Sequence, residues 1–299
     1  METSLSIVIT TYNRKELLRR CLNSIMIQDY SNYEVIVVDD HSIPSYKNEI
    51  VKEFPQVKYL CQAKNSGPGP ARNRGIETAS SNFVIIMDDD DIFRPEAFEK
   101  VNYFFMEYDG DKYPVYNFIL SNSTLRYDDF FRVYSFEEMI DNAIIGDVIH
   151  VINKEHFLSK KNYSFPASKI GAESLLWYQI ALDYGFPIIN EDIVQLMDDS
   201  EDRLTNTSRQ VKYANEFANY QLDIITNFKY SIIEHGQIRF LIKKYMGAVT
   251  YLLLSGKRRQ AISSWREMLK YSKKYLVILP LFLLPRKLII QLFYKYRLR

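Results

Sequence analysis

Four short apolar runs recur early in the chain: "LSIVIT" at 5–10, "YEVIVVDD" at 33–40, "VKYLC" at 57–61 and "FVIIM" at 83–87. Their recurrence constrains the fold more than any other feature. Each run is close to continuously apolar, so each strand carries apolar side chains for both of its faces. Between the first two runs the spacing turns helical, with Leu17, Leu18, Cys21, Leu22, Ile25 and Met26 on one side of a turn-by-turn pattern. Further helices are expected near 46–53 and over "ARNRGIETA". Strands covered on both faces and joined by helices predict an α/β fold with a mostly parallel central sheet between helical layers. Beyond it the pattern predicts a helix over 95–107 with Pro95 in its first turn, strands at 115–120 and 147–153, and a helix over 173–185 closed by Gly185.

In such sheets the ligand crevice lies outside the carboxyl ends of the strands. Thr10, Thr11, Tyr12 and Asn13 follow the first strand, and Asp39 and Asp40 end the second. "KNSGPGPARNRG" (64–75) follows the third, and four aspartates, Asp88 to Asp91, end the fourth. All four polar clusters therefore fall on one edge. The aspartates pose a question of charge, since neighbouring carboxylates repel by roughly 3 kcal/mol per pair at ~5 Å in an effective dielectric of ~20. Alternation along an extended chain sets Asp88 and Asp90 on one side and Asp89 and Asp91 on the other. Two carboxylates on one side make a hard-oxygen site for Mg²⁺ or Mn²⁺ with phosphate oxygens, which would offset the repulsion.

These motifs resemble those of the family 2 glycosyltransferases of the GT-A fold, over roughly residues 4–200. "SIVITTYNR" looks like the family's opening strand and loop, and "VIVVDDHS" like its Val-Asp-Asp-x-Ser segment. "NSGPGPARNRGI" looks like its Gly-rich, Ala-Arg-Asn segment, and "IIMDDDDIF" like its Asp-x-Asp-Asp metal motif. The resemblance implies a donor site of Thr10, Thr11, Tyr12, Asn13, Arg14, Asp40, Gly67, Arg72, Asp88 and Asp89. Within it Asp40 would recognise the base edge, Arg72 would approach base or phosphate, and Asp88 would lie by ribose and metal. Asp90 would be the principal metal ligand, with His150 as a further metal ligand or part of the acceptor site. The family's catalytic base matches Glu173 in "IGAESLLWYQ", with two departures: Glu stands where Asp is usual, and Ala172 replaces the preceding acid. An extra methylene changes the reach of a positioned base by more than about 1 Å. The other reading of Glu173 is an acid favoured by a helix N-terminus.

Charge divides the chain. From Gly236 onward there are 15 Lys and Arg against one acid, Glu267, hence +14; the remaining 23 basic and 36 acidic residues give −13. "YLVILPLFLLP" (275–285) is apolar but short of the ~20 residues a spanning helix needs, and it contains Pro280 and Pro285. Flanked by Lys273, Lys274, Arg286 and Lys287, the region 257–299 is expected to lie on an anionic membrane surface; packing on the catalytic domain or a second subunit is the alternative. Nucleic acid is not expected, because the cations interleave with aliphatic runs. Cys21 and Cys61 fit a reducing compartment, and the start of the chain lacks a basic leader pattern, so a cytoplasmic, peripherally membrane-bound protein is expected. The expected domains are a catalytic one over 1–205, with a nucleotide-binding half to about 110 and an acceptor-side half over 111–205, and a helical region over 206–299.

The function implied is inverting, metal-dependent transfer of a sugar from a nucleotide-diphosphate donor, with UDP-hexose expected, to a saccharide hydroxyl. The expected acceptor is lipid-linked, on a polyprenyl carrier, in surface-polysaccharide synthesis. Two alternatives stand beside it: a nucleotidyltransferase making nucleotide-sugars, and a non-catalytic sugar-nucleotide-binding scaffold.

Overall fold

The four apolar runs form adjacent parallel strands. In the computed structural model, which describes residues 2–142, 144–159, 163–197 and 207–297, they are β1 (Leu5–Thr11), β2 (Tyr33–Asp39), β3 (Lys58–Cys61) and β4 (Phe83–Asp88). Helices α1 (Lys15–Met26), α2 (Lys47–Glu53) and α3 (Pro68–Thr78) make the crossovers. After the short β5 (Ile92–Phe93) come α4 (Ala97–Glu107), β6 (Val115–Ile119), β7 (Thr124–Leu125), β8 (Phe131–Tyr134), α5 (Phe136–Ile140), β9 (Ile144–Ile145) and β10 (Val148–Asn153). Then follow α6 (Lys154–Ser159), α7 (Ser174–Tyr184), β11 (Phe186–Ile189) and β12 (Val194–Gln195). Eight strands join in the order β3-β2-β1-β4-β10-β6-β11-β8, with β10 and edge strand β8 antiparallel to their neighbours. The sheet is thus mixed, and mostly parallel as expected.

Strand alternation sorts the core into two layers. Ile7, Ile9, Val35, Val37, Ile85 and Met87 pack in one cluster with Leu18 and Leu22 of α1 and Phe98, Val101 and Phe104 of α4. Val8, Ile36, Val38, Val84 and Ile86 are buried as well, and the Val8 side chain lies directly under Gly75 of α3. Full burial of each such side chain contributes roughly 1.5–3 kcal/mol. The register brings Thr10 opposite Asp88 and Thr11 opposite Asp39, so the polar strand ends do share one edge.

One local expectation changes. Helix α4 begins at Ala97, not at Pro95, because Glu96 has a left-handed backbone (φ +61°) and the Arg94 amide is tied to the Ile193 carbonyl. The Ala97 amide then finds its acceptor in Gln28 Oε1 at 3.0 Å. Cys61, at the end of edge strand β3, is exposed, whereas Cys21 is buried; both are free thiols.

The chain divides into two compact units, Met1–Ser200 and Glu201–Arg299. The boundary expected at 205/206 lies outside the described residues. The second unit contains α8 (Thr207–Lys212), α9 (Ala214–Glu234), α10 (Ile238–Leu254), α11 (Arg258–Leu269), a 3₁₀ segment (Lys273–Leu283) and α12 (Arg286–Arg297). Gly236 (φ +71°) and Gly256 (φ +82°) end α9 and α10 in the left-handed conformation that lets the chain reverse. Pro280 sits inside the 3₁₀ segment, where an α-helix would lose a hydrogen bond and clash. The indole of Trp265 donates to the Tyr275 carbonyl at 2.8 Å, and Arg286 Nε donates to the Leu254 carbonyl at 2.7 Å, so the segment is fastened at both ends. Several of its apolar side chains nevertheless face water, Val277 at 77% and Leu283 at 83% exposure, whereas Phe282 is buried. Among the described residues no helix is long and apolar enough to cross a membrane.

Any Cβ at Gly75 would collide with the methyl groups of Val8. Gly75→Ala is expected to cost about 1–3 kcal/mol by overpacking, measured as a lower urea midpoint.

Candidate functional site

The run of aspartates does not continue β4. The strand stops at Asp88, and Asp89 and Asp90 form a turn, so the alternation expected for Asp88 and Asp90 does not extend past the first of them. Arg14 Nη1 instead donates to Asp89 Oδ1 at 3.2 Å and to Asp90 Oδ2 at 3.1 Å, gathering those two carboxylates on one guanidinium. Arg20 Nη2 donates to the Asp90 carbonyl at 2.6 Å, and the buried Cys21 Sγ–H points to the Asp88 carbonyl at 3.8 Å. Asp91 turns elsewhere and accepts the Met197 amide at 3.1 Å.

Ionisation distinguishes Asp88 from Asp89 and Asp91. Packing around Asp88 opposes its charge, yet the Arg72 guanidinium, with Nη2 donating to Oδ1 at 2.6 Å, outweighs it and holds the carboxyl below the usual range. Asp89 is 3% exposed, and burial, with the neighbouring charges of Asp90 and Asp88 adding, pushes it up to about 7. Burial likewise raises Asp91 to about 7, against the Met197 amide. The repulsion is therefore relieved inside the chain, by two arginines and by suppressed ionisation at two positions.

Phe165 and the turn leading to Glu173 close around Arg72. Its Nη1 donates to Glu173 Oε1, and its guanidinium carbon lies 5.5 Å from the centroid of Phe165. Glu173 stands at the N-terminus of α7 but makes no side-chain cap there, since its carboxylate turns to Arg72. Gly171 (φ +90°) and Ala172 (φ +55°) bring it into place. The chain before them lies against the Gly-rich turn: a Cβ at Gly67 (φ +91°) or Gly69 would strike the carbonyl oxygens of Ser168 or Pro166. Asn73 and Phe165 exchange two hydrogen bonds, at 2.8 and 2.9 Å. His150 faces the same side, with Nδ1 2.7 Å from Asn117 Oδ1 and its ring 4.0 Å from the Trp177 ring. Burial, reinforced by the Arg72 charge, lowers it to about 3, so it is neutral at physiological pH.

Asp40 anchors the Gly-rich turn by accepting the Ser66 amide at 2.9 Å and the Gly67 amide at 2.7 Å. Asp39 is a structural hub, accepting from the Ser42 amide, the Ser42 hydroxyl and the Tyr59 hydroxyl. Thr11 shares a hydrogen bond with Tyr46 at 2.8 Å. Asn13, left-handed at φ +55°, donates its amide to Ser42 Oγ and accepts the Ile43 amide, tying the first loop to the second. Thr10 is buried beside Asp88 in the register, whereas Tyr12 is exposed.

The sequence pattern of the glycosyl transferase family 2 matches residues 6–161, more than half of the chain. The chain belongs to this family. This family 2 member is 38% identical over 91 residues to the GalNAc(5)-diNAcBac-PP-undecaprenol beta-1,3-glucosyltransferase of Campylobacter jejuni, a match covering 29% of each chain. It resembles S. aureus TarS 1-349 in complex with UDP-GlcNAc at a TM-score of 0.60 and 17% identity, over 91% of this chain and 92% of that one. It resembles the mannosyltransferase PcManGT from Pyrobaculum calidifontis, in complex with GDP-Man and Mn2+, at 0.57 and 14% identity, over 98% and 85%. The structural likenesses show the fold, which is the GT-A fold. Matches to curated relatives cover between 16% and 62% of the relatives' own lengths.

Two accessible carboxylates of this family 2 site, the half-exposed Asp88 and the partly exposed Asp90, present hard oxygens. Such a set fits Mg²⁺ or Mn²⁺, which take few protein ligands and fill the remainder with water and phosphate oxygens. Among the described residues no three His, Cys, Asp or Glu side chains are gathered as a metal site, and His150 is engaged by Asn117 and Trp177 instead of joining the aspartates. Arg20 and Asn117 were not singled out from sequence. Each lies within an ordinary helix or strand pattern, and nothing in that pattern marks it.

The raised Asp89 sets a pH dependence. Its carboxyl keeps its proton in the fold up to about 7 and loses it near 3.8 when unfolded, so its contribution to stability is present at low pH and lost as pH rises through 7. With chelator present, Asp89→Asn should gain stability relative to the parent between pH 5 and pH 8, measured by urea unfolding at both values.

Proposed function

We propose that this family 2 protein transfers a hexose from a UDP-sugar to a hydroxyl of a saccharide acceptor, with inversion at the anomeric carbon. One observation carries the reading: Glu173, from α7, and Asp88, from the end of β4, share a single buried guanidinium. A candidate base and a candidate donor carboxylate thus belong to one network at the carboxyl edge of the sheet, the edge where α/β sheets bind ligands. The complex of TarS with UDP-GlcNAc supports the choice of a uridine donor.

Glu173 takes the proton of the acceptor hydroxyl as its oxygen attacks the anomeric carbon. The bond from that carbon to the diphosphate oxygen breaks on the opposite face, and UDP leaves with the bonding electrons. From an α-linked donor this gives a β-linkage. Asp88 and Asp90 would hold a divalent cation, and a cation there stabilises the charge that develops on the departing diphosphate. Arg14 keeps Asp89 and Asp90 together, the Asp40 carboxylate fixes the Gly-rich turn and is available to a base N–H, and neutral His150 with Trp177 lines the acceptor side. Metal-dependent binding of UDP in preference to GDP and dTDP is expected by calorimetry, weakened at least about tenfold in Asp90→Ala. Glu173→Gln should bind UDP like the parent yet lose about 10²–10⁴-fold in transfer. Full transfer by Glu173→Gln would sink the base assignment, and UDP binding with no transfer by the parent would favour the scaffold reading.

The same proposal puts the protein at the cytoplasmic face of a membrane, on a polyprenyl-linked acceptor. The name of the Campylobacter relative, with its undecaprenol-linked substrate, supports the acceptor class. The exposed Leu276, Val277, Leu279 and Leu283, flanked by Lys273, Lys274, Arg286 and Lys287, support the surface. The protein is expected to co-sediment with vesicles containing anionic lipid at low salt and to leave them at high salt. Leu279→Asp with Leu283→Asp should abolish binding, and equal affinity for neutral vesicles would refute the charge component.

A further inference from the structure

Arg72 lies beneath the site more than in it. Its side chain is 7% exposed, while the carboxylates it holds, Asp88 and Glu173, are 53% and 27% exposed. The guanidinium is thus fixed from below, its Nε–H buried without a partner and its face toward Phe165. Both of its acceptors remain open toward the crevice. Among the described residues the ion pair with Arg72 is the side-chain bond that orients Glu173, which does not cap its own helix. Leu176 and Trp177 donate their amides to the Glu173 carbonyl at 2.9 and 3.1 Å, so the placement of this residue and the first turn of α7 are one structural unit.

Two carboxylates from distant elements on one buried cation are coupled. A buried charge strongly disfavours losing its partners, so drawing one carboxylate away increases the hold on the other. We propose that Arg72 is a positioning residue through which occupancy of the donor site at Asp88 fixes Glu173. The inference rests on the donor and base assignments made above. When a cation and diphosphate draw Asp88 Oδ1 off the guanidinium, Arg72 keeps Glu173 alone, on Oε1, and Oε2 is left for the acceptor hydroxyl. The base is then held most firmly after the donor has bound.

Hydrogen exchange at the first turn of α7, residues 174–178, tests this in the full-length protein at saturating UDP and Mn²⁺, with nucleotide binding followed separately by calorimetry. In the parent, exchange there should slow about tenfold on binding, the effect of one strengthened charged hydrogen bond. Arg72→Lys keeps the charge but cannot fork to two carboxylates, and Glu173→Gln keeps the shape but removes the ion pair. Glu173→Gln should bind nucleotide like the parent and Arg72→Lys more weakly, with saturation reached for each by calorimetry, and both should lose the slowing. If Arg72 were merely structural, its variant would shift exchange equally with and without nucleotide and keep the response, and that result overturns the proposal. So does unchanged or faster exchange in the parent when calorimetry shows UDP bound, an outcome that leaves the donor reading standing. Absence of nucleotide binding by the parent overturns the donor reading and this inference with it. Should Arg72→Lys fail to fold, Glu173→Gln decides, since its side chain is partly exposed and its loss leaves the core intact.

Discussion

A guanidinium buried between two carboxylates is the interaction on which the arrangement of the site depends. Arg72 and Glu173 are 101 residues apart in the chain, and the pair joins α3 to α7 across the carboxyl edge of the sheet. Removing one carboxylate leaves the 7% exposed guanidinium with the other, and because Asp88 and Glu173 are 53% and 27% exposed the cost falls below the about 3–5 kcal/mol of a fully buried pair. The surrounding backbone is built to keep that from happening. Gly67 and Gly69 allow the 165–169 stretch to approach the Gly-rich turn, and Asn73 locks the approach with two hydrogen bonds to Phe165. Two left-handed residues, Gly171 and Ala172, then turn the chain so that Glu173 reaches the guanidinium.

The four aspartates show how a protein tolerates a concentration of like charge at a ligand site. Arg14 and Arg72 neutralise three of them directly, and burial suppresses ionisation of Asp89 and Asp91. The two carboxylates left accessible at the edge of the sheet are Asp88 and Asp90. Low dielectric around the buried members strengthens every interaction made there, favourable or not, which is the general condition for electrostatic catalysis. The neutral His150 fits the same scheme, since a second cation beside Arg72 would be repelled.

The gathering of the polar clusters on one edge of the sheet was legible in the sequence. The continuous apolar runs required coverage on both faces, and the polar residues after each run then had to lie on one edge. The resemblance to the family's motifs added an expected role for each of those residues. Asp39 shows the limit of that reading: it stands next to Asp40 in the same motif, yet it holds Ser42 and Tyr59 while Asp40 holds the Gly-rich turn. The turn at Asp89 was equally hidden, because a strand pattern carries no mark of where pairing stops. The insertion of antiparallel β10 between β4 and β6, which brings His150 and Asn117 to the site, depends on strand direction, and periodicity is the same in both directions.

The sequence by itself determined the layers of the fold, the edge on which the polar clusters meet and the charge division between the two parts of the chain. These follow from periodicity and composition, which act locally and can be read locally. Only the tertiary structure decided which carboxylate pairs with which arginine, which aspartates keep their protons, and that Glu173 turns toward Arg72 and away from its own helix. Those outcomes are set by burial and by distances between residues far apart in the chain, and both exist only once the sheet and its helices have closed around them.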